Sequence, residues 1–157
     1  LNPFKEKMLK YTNTARRSGS LKEVLKGVDV FIGVSRGNII GADAVRSMAK
    51  DPIIFAMANP VPEIMPDEAL RGGAAIIGTG RSDFPNQVNN VLVFPGIFRG
   101  ALDACAPTIN GSMKIAAAIA LADQVSDLSA DNILPHPLDR AVAPMIAKHV
   151  REAARNA

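Results

Sequence analysis

Three short apolar runs, each followed by a polar loop and a helical segment, constrain the fold of this chain more than any other feature. They cover residues 28–34, 53–58 and 74–78. Apolar runs of this length, rich in valine and isoleucine, predict buried strands. Because helical segments and short connections separate them, the strands are predicted to be parallel and joined by crossovers. The pattern predicts half of a doubly wound α/β sheet.

Helix signals fill the connections between the strands and most of the chain after them. Ser20 and Glu23 form a capping-box pattern that predicts a helix over residues 21–26. Pro66 and the two acids after it predict another helix over residues 66–71, and Asn110 is a candidate N-cap. The remaining predicted helices cover residues 4–17, 44–49, 96–106, 109–124 and 144–155. The part of the chain after the third strand is therefore mainly helical.

Charge and composition exclude several classes of protein. The 18 Lys and Arg residues exceed the 15 Asp and Glu residues, which gives a net charge of +3, but the basic residues are scattered along the chain. With one Tyr and no Trp, few side chains can stack on bases, so no nucleic-acid partner is expected. No apolar run approaches the roughly 18 residues of a membrane span, so no membrane partner is expected.

The single cysteine, Cys105, excludes an internal disulfide and indicates a reducing compartment, which we take to be the cytoplasm. Its apolar, helical surroundings predict a small buried residue rather than a nucleophile. The two histidines, His136 and His149, lie too far from the cysteine for zinc-like spacing, and the carboxylates do not cluster. We therefore expect neither a metal site nor a complete catalytic set within these residues.

Polar loops follow all three predicted strands, over residues 33–38, 59–62 and 78–87, at the ends where open α/β sheets bind ligands. Any one of these loops could be an ordinary turn. Residues 78–82 invite a phosphate-binding interpretation but lack a Walker lysine, so that support is weak. Primary amides donate and accept hydrogen bonds without carrying charge. The three loops together with Asn89 and Asn90 therefore indicate a site for a small polar ligand.

Five segments, taken in order along the chain, resemble bacterial-type malic enzymes. The two richest in asparagine are the most specific, and the match spans nearly the whole chain. The segments are Asn2-Pro-Phe-Lys5, Asp29-Val-Phe-Ile-Gly-Val-Ser35, Ile54-Phe-Ala-Met-Ala-Asn-Pro60, Asn89-Asn-Val-Leu-Val-Phe-Pro-Gly96 and Thr108-Ile-Asn110. The resemblance implies a partial Rossmann-like, doubly wound parallel sheet with C-terminal helices.

The resemblance also implies an activity and a site. Malic enzymes oxidise malate by hydride transfer to NAD or NADP and release carbon dioxide and pyruvate, while Mg²⁺ or Mn²⁺ polarises the substrate oxygen. By resemblance, Asn59 and one of Asn89 or Asn90 would bind malate near the nicotinamide, with Asn59 also bordering the cofactor. The adenosine side of the cofactor would lie along the three residues Gly33, Val34 and Ser35.

Other parts of the family pattern do not occur in these residues. The family's catalytic tyrosine and lysine, its acidic metal ligands and its glycine-rich fingerprint belong to sequence on the N-terminal side of Leu1. Residues 1–157 are therefore expected to be the C-terminal portion of the NAD(P)-binding domain, inactive alone. The remainder of the enzyme is its expected partner. A first strand without its neighbour would be a bare edge, so we also expect a homo-oligomer.

Two alternatives stay open on the sequence. The chain could be a non-catalytic binding or oligomerisation module that has kept the half-fold. It could also belong to another Rossmann dehydrogenase whose loops happen to look similar. The choice between NAD and NADP is open as well, because the residue that usually decides it follows a strand outside these residues.

Overall fold

The computed structural model describes residues 2–155, which form three strands, seven α-helices and one short 3₁₀ helix. Leu1 and the last two residues of the expected 1–157 domain lie outside the described part. In chain order the elements are α1 (Pro3–Met8), α2 (Leu21–Val24), β1 (Val30–Gly33), α3 (Ala42–Arg46), β2 (Ile53–Ala56), α4 (Pro66–Arg71), β3 (Ile76–Thr79), the 3₁₀ helix (Asn90–Leu92), α5 (Phe94–Asp103), α6 (Gly111–Ala122) and α7 (Val142–Arg155).

The three strands form one parallel sheet in the order β1-β2-β3, as the sequence predicts. Helices α3 and α4 connect successive strands. The strands pair in register, so Gly33, Ala56 and Thr79 lie side by side at the carboxyl edge. The predicted α/β class with a parallel, Rossmann-like sheet is therefore confirmed.

Two separate apolar cores hold the chain together. The first lies against the sheet, where Phe31 and Ile54 pack with Val45 of α3 and Ala69 of α4. The second lies among α5, α6 and α7 and is built around fully buried side chains such as Met113. The sheet and the helices thus each bury an apolar cluster of their own. None of the helices within residues 2–155 has both the length and the hydropathy that a membrane crossing requires.

Several local predictions are confirmed by the backbone. Ser20 accepts a hydrogen bond from the Glu23 amide while the Glu23 carboxyl accepts from the Ser20 amide, which completes the capping box. Asn110 Oδ1 accepts from the Met113 amide at 3.0 Å and begins α6. Helix α4 spans Pro66–Arg71, as its proline and acids predict. A side-chain cap depends on residues within one helical turn, so the local sequence is enough to predict it.

Two local predictions are wrong. The helix expected over residues 4–17 ends at Met8, none of its residues is buried, and Asn13 and Arg16 adopt positive φ. A short helix without tertiary contacts gains too little to extend further. Cys105 is exposed rather than buried, because it follows the end of α5 and has a φ of 50°.

The outer side of the sheet at β1 is uncovered. Ile32 is 63% exposed and Val34 is 77% exposed, and β1 has a single strand neighbour within the described residues. The exposed apolar side chains leave one face of the sheet uncovered, and the unpaired backbone groups of an edge strand can pair with a further strand. Strand β1 therefore has the features of an incomplete edge.

Candidate functional site

The loops that follow the three strands meet at one edge of the sheet. The strands end together at Gly33, Ala56 and Thr79, so residues 34–38, 57–62 and 80–87 leave from neighbouring positions. The last of these loops returns to the sheet, where the Val88 amide donates to the carbonyl of Thr79 at 2.7 Å. The predicted meeting of the three loops at one edge is confirmed by this register.

A cavity of about 590 Å³ opens between this edge and the helical part of the chain. Val34, Asn59, Asn89 and Asn90 all line it. The three predicted substrate residues therefore share one space with Val34, a predicted cofactor residue, and Asn59 is predicted for both roles. The other lining residues are mostly apolar: Met57, Gly80, Val88, Leu92, Val93, Phe94, Leu121 and Leu134. An apolar space with a few polar amides is typical of a small-molecule site.

The remaining cofactor candidates lie next to this cavity rather than on its lining. Gly33 is buried at the end of β1, and Ser35 is exposed two residues further on. An ideal Cβ on Gly33 would lie 2.7 Å from Oε1 of Glu63, so a glycine is required there by close approach. Among residues 33–35, Val34 is the one that lines the cavity.

Asn59 follows β2 in an exposed position and is joined to Pro60 by a cis peptide bond. Its side-chain amide makes no hydrogen bond to another of residues 2–155. The amide can therefore donate to, or accept from, a ligand in the cavity without first breaking a bond within the protein.

Asn89 and Asn90 have different local tasks. Asn89 Oδ1 accepts a hydrogen bond from the Val91 amide at 3.1 Å and begins the 3₁₀ helix. Asn90 is the first residue of that helix, and within residues 2–155 its amide has no hydrogen-bond partner. The capping role thus belongs to Asn89, and the Asn90 side chain is the one available to a ligand.

Glu63 is a residue of this site that the sequence analysis missed. It is fully buried, and its carboxyl group accepts hydrogen bonds from the Ser35 amide at 2.7 Å and the Ala58 amide at 3.0 Å. The sequence gives no local signal for it, because an acid between Pro62 and Ile64 has the pattern of an ordinary loop residue. Buried carboxyl groups require hydrogen-bond partners, and here the partners are two loops of the sheet edge.

Arg81 is bonded to its own loop. It donates to both carboxylate oxygens of Asp83, at 2.8 and 2.7 Å, and it lies 5.4 Å from the centre of the Phe84 ring. These hydrogen bonds lower the pKa of Asp83 and raise the pKa of Arg81 from their usual values. Because the guanidinium already has an anionic partner, the arrangement does not favour phosphate binding by residues 78–82.

Metal ligands do not gather in the described part of the chain. Across residues 2–155, no three side chains among His, Cys, Asp and Glu come together in a group that could hold a metal ion. The chemistry of the cavity thus comes from neutral amides and apolar side chains, which can bind and orient a ligand.

Comparison with known proteins agrees with this geometry. A family model described as the NAD binding domain of malic enzyme matches residues 1–155. The bifunctional malic/malolactic enzyme of Bacillus subtilis is 60% identical over 98% of this chain. An NADP-dependent malic enzyme of Rhizobium meliloti is also 60% identical, over 76% of the chain.

A solved structure gives the same result in three dimensions. The crystal structure of malic enzyme from Pyrococcus horikoshii matches 98% of this chain with a TM-score of 0.93 and 48% sequence identity. The chain spans 38% of the Bacillus relative, 16% of the Rhizobium relative and 36% of the Pyrococcus chain. Because a family model, a sequence relative and a solved structure each match nearly the whole chain, it belongs to the NAD-binding domain family of malic enzymes.

Proposed function

We propose that this chain supplies the malate-facing part of the NAD(P)-binding domain in an enzyme that converts malate to pyruvate and carbon dioxide. The observation that carries the proposal is the sharing of one cavity by Asn59, Asn89 and Asn90 at the carboxyl edge of a parallel sheet. Ligands of open α/β sheets bind at that edge. The remaining alternative is a non-catalytic module with the same half-fold.

In this proposal the asparagines orient the substrate. Asn59 and Asn90 donate amide hydrogens to oxygen atoms of malate, and Asn89 stabilises the turn that presents Asn90. Neutral donors suit this task because they hold a dicarboxylate without adding a charge that opposes the chemistry at its hydroxyl carbon. The apolar lining, including Phe94 and Leu121, limits the access of water.

The cofactor is proposed to lie with its adenosine side along Gly33, Val34 and Ser35 and its nicotinamide near Asn59. Val34 and Asn59 both line the cavity, which supports this arrangement. Bound NAD or NADP would supply the acceptor for the hydride that malate loses. Residues of this chain would hold the two reactants next to each other.

Other parts of the reaction are assigned to sequence outside this chain. The general base and the carboxylates for Mg²⁺ or Mn²⁺ would come from the N-terminal remainder of the enzyme, which we propose pairs with the exposed edge of β1. We further propose that the enzyme assembles into a homo-oligomer and is located in the cytoplasm.

The test is malate-dependent reduction of NAD and of NADP by the full-length enzyme that contains this chain, with Mn²⁺ present. Asn59→Ala and Asn90→Ala should each reduce kcat/KM for malate by about tenfold to a hundredfold, because each removes a donor to a charged substrate. Asn132→Ala is the matched control, since its amide donates to the carbonyl of Asp127 and lies away from the cavity lining.

The results of this test distinguish an enzyme that converts malate from a non-catalytic module with the same half-fold. Full-length protein that reduces neither cofactor with malate would favour the non-catalytic module. Turnover that is unaffected by both cavity variants would keep the enzyme but remove these asparagines from its site. Analysis of the product as pyruvate rather than lactate would establish which reaction is catalysed.

A further inference from the structure

Glu63 joins two loops that the proposed function assigns to different ligands. Its Oε1 accepts from the amide of Ser35, in the loop after β1, at 2.7 Å. Its Oε2 accepts from the amide of Ala58, in the loop after β2, at 3.0 Å. One fully buried carboxyl group thus bridges the ends of two neighbouring strands.

The bonded amides stand directly beside cavity residues. Ser35 follows Val34, and Ala58 precedes Asn59, so each hydrogen bond fixes the backbone one residue away from the cavity lining. Glu63 itself does not line the cavity. Its carboxyl group can therefore influence a ligand only through the two loops it holds.

The main chain around Glu63 strengthens the same connection. The carbonyl of Glu63 accepts from the amides of Ile39 at 2.9 Å and Ile40 at 3.2 Å, and the carbonyl of Pro62 accepts from Asn38 at 3.0 Å. The loop after β1 is thereby bonded along its length to the segment after β2. The strand ends are also joined through the main chain, because the Met57 amide donates to the carbonyl of Gly33 at 2.9 Å. The side chain of Glu63 adds a bridge just beyond that bond, at Ser35 and Ala58.

We propose that Glu63 is a positioning residue, which sets the distance between the cofactor loop at Val34 and the substrate residue Asn59. The proposal rests on the proposed function, because it takes those two loops as the ones that bind cofactor and malate. Hydride transfer requires the bound cofactor and malate in one defined arrangement, and an error of about 1 Å can cost a hundredfold in rate. Glu63 would hold the loop on the adenosine side of the cofactor in place relative to Asn59, without touching either reactant.

Glu63→Gln in the full-length enzyme tests the proposal. Glutamine keeps the size of the side chain but offers one acceptor oxygen in place of two, so one of the two amides loses its partner and faces an NH₂ group. Glu68→Gln is the matched control. The Glu68 carboxyl accepts one backbone hydrogen bond, from Ala42 at 3.2 Å, at the start of α3 and away from the cavity.

Two measurements are made on both variants. In Glu63→Gln we expect kcat/KM to fall about tenfold to a hundredfold for malate and for cofactor alike, since one side chain holds both loops. In Glu68→Gln we expect both to stay within about twofold. Amide hydrogen exchange should accelerate at Ser35 or Ala58 in the first variant. In the second it should stay nearly unchanged at Ala42, because glutamine keeps the one acceptor oxygen that this amide uses.

Normal kcat and KM in Glu63→Gln, with only a lower melting temperature, would overturn the proposal and leave Glu63 a purely structural residue. Unchanged exchange at Ser35 and Ala58 would overturn it as well. Because hydrogen exchange needs no turnover, it decides whether Glu63 holds the two loops even if the wild-type enzyme fails to oxidise malate, which would refute the proposed function instead.

If Glu63→Gln does not fold, Glu63→Asp serves in its place. Aspartate keeps two acceptor oxygens but is one methylene shorter, so its bonds to the two amides should be longer. Intermediate kinetics, between wild type and the loss expected for glutamine, would support positioning by distance. Wild-type kinetics for Glu63→Asp, together with unchanged exchange at both amides, would overturn it.

Discussion

The sheet half and the helical half of this chain are held together by different means. In the sheet half, strands of four residues end at loops that a buried carboxyl group bonds to each other. In the helical half, α5 and α7 pack directly through two glycines, Gly96 and Gly100, whose ideal Cβ atoms would strike α7. Hydrogen bonds fix the positions of loops, whereas apolar contact fixes the positions of helices.

The cavity lies where the two halves meet, and each half contributes a different kind of residue to its lining. The sheet half supplies Val34 and Asn59 on loops, and the helical half supplies Phe94 and Leu121 as walls. The residues between the halves, Asn89 and Asn90, lie on the short 3₁₀ helix that leads into α5. A change in the helical half should therefore act first on stability, and a change at the sheet edge first on function.

The largest effect on stability should come from Gly100→Ala. An ideal Cβ at Gly100 would lie 2.6 Å from the carbonyl oxygen of Ala147 and 2.7 Å from Cβ of Val150, and a backbone atom cannot move aside cheaply. We expect the free energy of unfolding to fall by about 3 kcal/mol, at the upper end for overpacking. Urea unfolding would measure the loss.

Gly111→Ala is the control for that change. Gly111 also lies in a helix, but its Cβ would meet nothing within 4 Å, so alanine should be neutral or slightly stabilising. An equal gain of stability in the two variants would show that helix propensity rather than close packing decides the response of this half to alanine.

The next largest effect should come from Asn90→Asp at the junction of the halves. A carboxylate in place of the amide repels a dicarboxylate substrate while leaving the size of the side chain almost unchanged. In the full-length enzyme we expect kcat/KM for malate to fall by more than in Asn90→Ala, whose cost is about 1.5–3 kcal/mol. Steady-state kinetics and thermal melts on both variants would check this.

Asn89→Ala provides the contrast. Its side chain caps the 3₁₀ helix, so we expect a loss of about 1 kcal/mol in stability together with a smaller kinetic change. If Asn89→Ala proved the more damaging to malate kinetics, the assignment of the two asparagines would have to be exchanged.

The smallest effect concerns pH and is expected at Glu23, whose carboxyl group closes the capping box with Ser20. The hydrogen bonds from Ser20 lower the pKa of Glu23 from its usual 4.5. A lowered carboxyl pKa contributes stability above the unfolded value, and that contribution is lost as the pH falls through the folded pKa.

Ser20→Ala should therefore raise the pKa of Glu23 toward 4.5, because the hydrogen bond from the Ser20 hydroxyl is the largest cause of the lowered pKa. Titration of the Glu23 carboxyl by NMR would measure the change. A Glu23 pKa that stays equally low without the Ser20 hydroxyl would assign the shift to the remaining backbone bond. Because Glu23 is exposed, the effect on stability should be small and should weaken with added salt.

Sequence patterns alone determined the strands, the parallel sheet, the cap at Asn110 and the loops that carry Asn59 and Asn90. Each of these follows from periodicity or from residues close in the chain, so it can be read locally. Parallel sheets bind ligands at the carboxyl edge, so the sequence predicts that Asn59, Asn89 and Asn90 lie near one another. The strand register brings the loop with Asn59 to that edge, and all three asparagines line one cavity.

Only the tertiary structure decided which asparagine caps and which is available, where Cys105 lies, and why Glu63 is buried. Nothing local marks Glu63, whose partners Ser35 and Ala58 are 28 and 5 residues away. Likewise, position 100 must be glycine because α7, which begins more than 40 residues later in the sequence, leaves no room for a side chain there. Burial and close approach depend on what the rest of the chain brings near, so a local reading of the sequence cannot supply them.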